Sequence, residues 1–91
     1  SHAAGDIVIR AMSEALGEVI GKKGGIVGRH GGEEVLVWAP ANPSELASIL
    51  RQAAKKMQEK ITRGMQKAKI EFPRTASFSA GIVEIDGKKI A

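Results

Sequence analysis

The sequence predicts an α+β fold in which an antiparallel sheet is covered on one face by two helices. Two stretches of the chain carry apolar residues at helical spacing, which predicts two amphipathic helices. Between them, the apolar runs Ile26-Val27 and Val35–Trp38 flank a Gly-Gly pair, a pattern typical of a β-hairpin. A further apolar segment follows the second helix, so the predicted order is helix, hairpin, helix, strand.

The first helix is predicted over residues 7–20, with Asp6 as its N-cap. Glycines at positions 21, 24 and 25 are expected to stop it. Its apolar residues recur at helical spacing and should face the core: Val8, Ile9, Met12, Ala15, Leu16, Val19 and Ile20.

A second helix is predicted to begin at Asn42-Pro43-Ser44-Glu45, which supplies an N-cap, a first-turn proline and a glutamate three residues after the cap. Gly64 is expected to weaken or end this helix. Its predicted buried stripe is Leu46, Ile49, Leu50, Ala53, Met57 and Ile61. The basic residues between them predict a solvated face rather than a nucleic-acid surface: Arg51, Lys55, Lys56, Lys60 and Arg63.

Beyond the second helix, residues 75–85 predict a third strand, and Asp86-Gly87 is a hairpin-turn signal. The hairpin itself is predicted over residues 26–30 and 33–39, with Gly31 and Gly32 at its tip. Such a tip is compatible with an ordinary tight turn that carries two solvated glutamates. Taken alone, the segment favours the ordinary turn. It is also the arrangement in which glycines approach a phosphate closely and adjacent carboxylates reach a metal ion.

Composition limits the classes of protein. A chain of 91 residues forms one small domain, here residues 1–91. The chain has no cysteine, which excludes a disulfide scaffold and fits a reducing, cytoplasmic location. Neither a membrane segment nor a signal peptide is expected. The net charge of +4 suits a phosphate-bearing partner, although much of the charge falls on one helix.

Three segments together resemble the GGDEF family, the catalytic domain of diguanylate cyclases. They read Ser-His-Ala-Ala-Gly-Asp over residues 1–6, Arg-His-Gly-Gly-Glu-Glu-Val over residues 29–35, and Thr-Ala-Ser-Phe-Ser-Ala-Gly-Ile over residues 75–82. The order and approximate spacing match the family, with Val35 in place of the last signature phenylalanine. The resemblance implies a ferredoxin-like, palm-type βαββαβ core that here lacks its first strand, so that residues 1–91 would be a partial GGDEF domain.

The resemblance also implies an activity, the condensation of two GTP molecules into cyclic di-GMP in bacterial signalling. Each 3′-hydroxyl would attack the α-phosphate of the other nucleotide, with two Mg²⁺ ions stabilising the charge on the transferring group. Because the two nucleotides are held by two domains that face each other, a homodimer is implied for catalysis.

Site roles follow from the same resemblance. Glu33 and Glu34 would be the catalytic and metal-binding carboxylates, and Gly31 and Gly32 would lie against the phosphates. His2 and Asp6 match positions near the nucleotide pocket, and Arg29 would be structural. The competing interpretations are a solvent-exposed terminus for His2, a helix cap for Asp6 and a surface cation beside the glutamates for Arg29.

The chain also departs from the family pattern. It contains no counterpart of the first-strand aspartate that binds metal, or of the Asn and Asp that read guanine. Where the family carries the Arg-x-x-Asp inhibitory motif, residues 22–25 read Lys-Lys-Gly-Gly. These 91 residues alone are therefore expected to be inactive, and a degenerate domain that binds GTP or a partner is the first alternative.

A KH domain is the second alternative, because Val19 to Val27 reads Val-Ile-Gly-Lys-Lys-Gly-Gly-Ile-Val and resembles the KH signature. The Gly21-Lys22-Lys23-Gly24 loop would then clamp a single-stranded nucleic acid. A KH loop is followed by a helix, however, and residues 25–32 hold too many glycines for one. Nucleic-acid binding is accordingly the less favoured prediction.

Overall fold

The computed structural model describes residues 2–31, 34–71 and 78–83, with residue 2 described by its backbone only. Its elements are α1 (His2–Lys22), β1 (Ile26–Arg29), β2 (Val35–Trp38) and α2 (Pro43–Ala68). The order helix, hairpin, helix and the α+β class agree with the prediction. Most of the predicted third strand and the turn after it lie outside the described residues, and residues 78–83 are not in a strand.

The core lies between α1 and α2, which pack side by side in opposite directions. Buried residues 11 and 15 of α1 meet residues 57–65 of α2 in one cluster, and residues 16–20 of α1 meet residues 49–53 of α2 in another. The predicted stripes are confirmed in large part. Leu46 and Leu50 on α2 and Val8, Ile9 and Met12 on α1 are only half-buried, and Ile9 belongs to neither core cluster. The buried residues are Ala11, Ala15, Leu16, Val19 and Ile20 on α1, and Ile49, Ala53, Met57, Ile61 and Met65 on α2.

The predicted start of α1 is wrong. The helix begins at His2, so Asp6 is an exposed residue inside the helix and cannot be its N-cap. Ala4 and Ile7 pack against the core cluster formed with α2. Alanine favours helix strongly, and the packing of these side chains stabilises the extra helical turn before Ile7. Contact with α2 therefore extends α1 past the cap predicted at Asp6.

The predicted start of α2 is confirmed, whereas its predicted weak point is not. The Asn42 side chain accepts a hydrogen bond from the Glu45 backbone N–H at 2.8 Å. The helix continues through Gly64 to Ala68, where Lys69 takes a left-handed conformation and the Ile70 N–H donates to the Met65 carbonyl at 2.9 Å. A Cβ at Gly64 would lie 2.8 Å from Cγ2 of Ile7, so the glycine is the point at which the two helices approach closely.

The hairpin pairs β1 with β2 in an antiparallel register that sets Ile26 opposite Trp38 and Arg29 opposite Val35. It is shorter than predicted, because residues 30, 34 and 39 lie outside the strands. Val27, Val35 and Val37 pack against the core cluster to which both helices contribute, and the helix that lies directly against the two strands is α1. Ile26, Leu36 and Trp38 remain exposed on the other face.

The connection from α1 to β1 is tight. The Gly25 N–H donates to the Ile20 carbonyl at 2.9 Å. A Cβ at Gly25 would lie 2.6 Å from Cγ2 of Ile20 and would collide with the Trp38 carbonyl oxygen. Only glycine fits between the end of α1 and the second strand, which fixes the position of the hairpin on the helices.

The basic face of α2 is not wholly solvated. Lys60 Nζ donates to Glu18 Oε1 at 2.9 Å and lies 3.9 Å from Glu14 Oε1. Lys56 Nζ lies 3.6 Å from Glu18 Oε2. The hydrogen bond from Lys60 and the charges of both lysines hold the pKa of Glu18 below its ordinary value of 4.5. Two of the cations predicted to be solvated therefore link α2 to α1.

Substitution of single glycines by alanine tests the helix contact. Gly17→Ala should raise the free energy of unfolding by about 1 kcal/mol, because a Cβ there meets nothing within 4 Å and alanine favours helix. Gly64→Ala gains the same propensity but forces Ile7 to shift, and overpacking costs about 1–3 kcal/mol. Gly64→Ala should therefore be less stable than Gly17→Ala in urea unfolding. Equal stabilisation by both would contradict the close approach of Ile7.

Acid should weaken the α1–α2 link. Because the pKa of Glu18 is lower in the folded protein than its ordinary value of 4.5, its ion pairs stabilise the fold above pH 4.5. This stabilisation is lost as the pH falls through the folded-state pKa. Glu18→Gln should lower stability slightly at neutral pH and make the loss on acidification shallower. Glu59→Gln, on an exposed helix residue, carries the same charge change as a control. Identical pH profiles for the two variants would contradict the role of Glu18.

Candidate functional site

A groove of about 980 Å³ brings the three sequence motifs together. Ala4 and Gly5 from the first motif line it, as do Glu34 and Val35 from the hairpin motif. Residues 78–82, which belong to the third motif, lie along the same groove. Apolar residues of both helices, including Val8, Met12, Leu46 and Leu50, form much of its lining. Segments that are far apart in the sequence therefore share one concave surface.

The hairpin tip sets Glu34 at this groove. The His30 N–H donates to the Glu34 carbonyl at 2.9 Å, and the Glu34 N–H donates to the Gly31 carbonyl at 3.2 Å. Gly31 has a φ of 72°, a conformation that glycine adopts at little cost. These two hydrogen bonds close the turn, and the Glu34 side chain is left exposed at the edge of the groove.

The other predicted site residues have different outcomes. Asp6 is exposed on α1 and does not line the groove. Arg29 ends β1 as an exposed residue opposite Val35, on the strand that leads into the tip. Gly32, Glu33 and the side chain of His2 lie outside the described residues, so their assigned roles stay predictions.

The described residues supply few of the donors that a metal ion needs. The carboxylate oxygens of Glu34 are of the hard type that Mg²⁺ prefers. Over the described ranges, however, no group of three or more His, Cys, Asp or Glu residues stands close enough to hold an ion. Glu34 therefore offers one suitable donor, and the described residues do not complete a coordination shell.

Sequence reasoning missed two residues that shape the site. Phe78 packs against both core clusters and lines the groove, which anchors the residues that follow it. Gly25 positions the hairpin, and its only sequence signal was its place in a glycine-rich break. The same region argues against a KH domain, because the residues that follow the Gly21–Gly24 loop form strand β1 and not the helix that such a loop requires.

Comparison with known families gives the class. Residues 2–91 match the family model described as "Diguanylate cyclase, GGDEF domain". Because the match covers nearly all of the sequence, the chain belongs to the GGDEF domain family. Comparison with curated proteins and with solved structures gave no significant match.

The family is one of cyclic di-GMP signalling, and its members are in general metal-dependent domains that use GTP and act as dimers. Neither α1 nor α2, the helices of the described residues, is long and apolar enough to cross a membrane. The fold found here, two helices and an antiparallel two-stranded hairpin, is consistent with part of the palm-type core of this family.

Proposed function

We propose that this chain forms part of a diguanylate cyclase catalytic domain, which condenses two GTP molecules into cyclic di-GMP. The observation that carries the proposal is the shared groove: Gly5, Glu34 and residues 79–82 come from three separate motifs and line one surface. A site assembled from distant segments beside a carboxylate is the usual setting for chemistry on a bound ligand.

In this proposal the hairpin tip contacts the triphosphate. Gly31 lets the backbone turn without a Cβ, so a phosphate can lie close to the chain. Glu33 and Glu34 supply carboxylates to the metal site, and Glu33 accepts the proton of the attacking 3′-hydroxyl. Mg²⁺, when bound, would neutralise the charge that develops on the transferring phosphoryl group. His2 and Asp6 are proposed to lie near the nucleotide, with Asp6 acting from the exposed side of α1.

Catalysis in this proposal requires a homodimer, because each domain presents one GTP and the two nucleotides react with each other. Two Mg²⁺ ions need more oxygen ligands than Glu33 and Glu34 provide. The sequence holds no counterpart of the first-strand aspartate of the family. Residues 1–91 by themselves are therefore proposed to be inactive.

A second candidate is a GGDEF domain that binds GTP or a partner without catalysis. It is favoured by the set of donors at the site, since the described residues include no cluster of three potential metal ligands. The two candidates differ in whether loss of a carboxylate at the tip removes a chemical step or only weakens binding.

Substitution at the tip separates them. In the natural protein with Mg²⁺ and GTP, Glu33→Gln and Glu34→Gln should each reduce cyclic di-GMP formation by a hundredfold or more, the order of magnitude for a general base or charge-stabilising group. Stability should change little, because Glu34 is exposed. Glu45→Gln, an exposed glutamate in the first turn of α2, is the matched control. Product formed by the Glu33→Gln protein at the unsubstituted rate would disprove the role given to Glu33.

Residues 1–91 alone should bind GTP weakly and with little preference over ATP. The groups that read guanine in the family have no counterpart in this sequence, so phosphate contacts alone would hold the nucleotide. Calorimetric titration of the 91-residue chain with each nucleotide and Mg²⁺ measures the ratio of the two affinities. Tight, guanine-selective binding would show that other residues build the pocket.

A further inference from the structure

A second concavity lies between α1 and α2 and shares no lining residue with the groove at the hairpin. Its volume is about 310 Å³. Ile7 and Ala11 of α1 and Gly64 of α2 form its apolar part, at the point where the missing Cβ of Gly64 lets the helices approach. Charged residues make up the rest of its lining: Arg10, Glu14, Lys60, Arg63 and Lys67.

The spacing of these residues explains why they converge. Arg63 and Gly64 lie three and four residues after Lys60, and Lys67 lies four and three residues after them, so all four share one face of α2. Ile7, Arg10, Ala11 and Glu14 do the same on α1. The two faces meet across the helix contact, and this concavity is called here the interhelix cleft.

Positive charge in the interhelix cleft is not balanced. Lys60 is already engaged, since its Nζ lies 2.9 Å from Glu18 Oε1 and 3.9 Å from Glu14 Oε1. Arg10, Arg63 and Lys67 are exposed and form no ion pair within the part of the chain that the structure describes. Three cations thus border one small cleft whose single carboxylate, Glu14, already faces Lys60.

We propose that the interhelix cleft binds a diphosphate group. Guanidinium groups donate paired hydrogen bonds to phosphate oxygens, and a lysine adds a third positive charge. A volume of about 310 Å³ suits a compact anion, and it is small for a helix or a nucleic-acid strand. The proposal is independent of the proposed function, because no residue of the hairpin contributes to this cleft.

The test is a titration of the 91-residue chain with inorganic pyrophosphate and, separately, with ADP, both without Mg²⁺ and at low ionic strength. Binding is followed by calorimetry and by the backbone amide shifts in a ¹H–¹⁵N spectrum. The variant Arg63→Gln/Lys67→Gln removes two cleft cations. The control variant Arg51→Gln/Lys55→Gln removes two exposed cations of the same helix that do not line the cleft, so both variants carry the same net charge.

Pyrophosphate should shift the amides around residues 10, 63 and 67, and its affinity should fall about tenfold or more in the cleft variant but little in the control, as expected for lost charged hydrogen bonds. The same pattern with ADP alone would support the proposal with a nucleotide as the source of the diphosphate. Equal losses in both variants would overturn it, since nonspecific attraction depends only on net charge. Absence of binding by both ligands, or shifts confined to the hairpin, would overturn it as well.

Discussion

Packing of α1 against α2 is the interaction on which the rest of the structure depends. The buried core of the described residues belongs entirely to these two helices, and each fully buried Ile, Leu or Met contributes about 1.5–3 kcal/mol. The hairpin adds only half-buried valines, such as Val27 and Val37. A two-stranded hairpin of this size is only marginally stable by itself, so its position depends on the helix core against which it packs. The position of the candidate site at the hairpin tip therefore also depends on the packing of the helices.

Local rules predicted the elements whose ends are determined by nearby atoms. Asn42 caps α2 by accepting a hydrogen bond from Glu45, three residues along the chain, and Gly31 permits the turn through its own φ angle. Both features could therefore be predicted from the local sequence. The helix boundaries predicted at Asp6 and Gly64 were wrong because the structure at these residues depends on contacts with distant parts of the chain. Ile7 packs on α2 and contacts Gly64, which lengthens α1 at its start and keeps α2 continuous, and no short sequence pattern records that contact.

The candidate site was predictable as a set of motifs but not as a surface. The glycines and glutamates of the tip could be recognised from sequence, and their family is now established. Sequence order could not show that Gly5, Glu34 and residues 79–82 line one groove, because this convergence depends on how distant segments pack together. Nor could it show that Asp6 is not among the residues that line the groove, since that depends on the rotation of α1 set by its core residues.

Paramagnetic relaxation tests the shared groove most directly. Mn²⁺ takes the place of Mg²⁺ in oxygen-ligand sites, and it broadens the amide signals of nearby residues even when binding is weak. With Mn²⁺ and GTP added to the 91-residue chain, broadening should appear together at Gly5, at Glu34 and at residues 79–82. Broadening centred on Glu14 and Glu18, the exposed carboxylates of the α1–α2 contact, with the hairpin tip unaffected, would contradict the account.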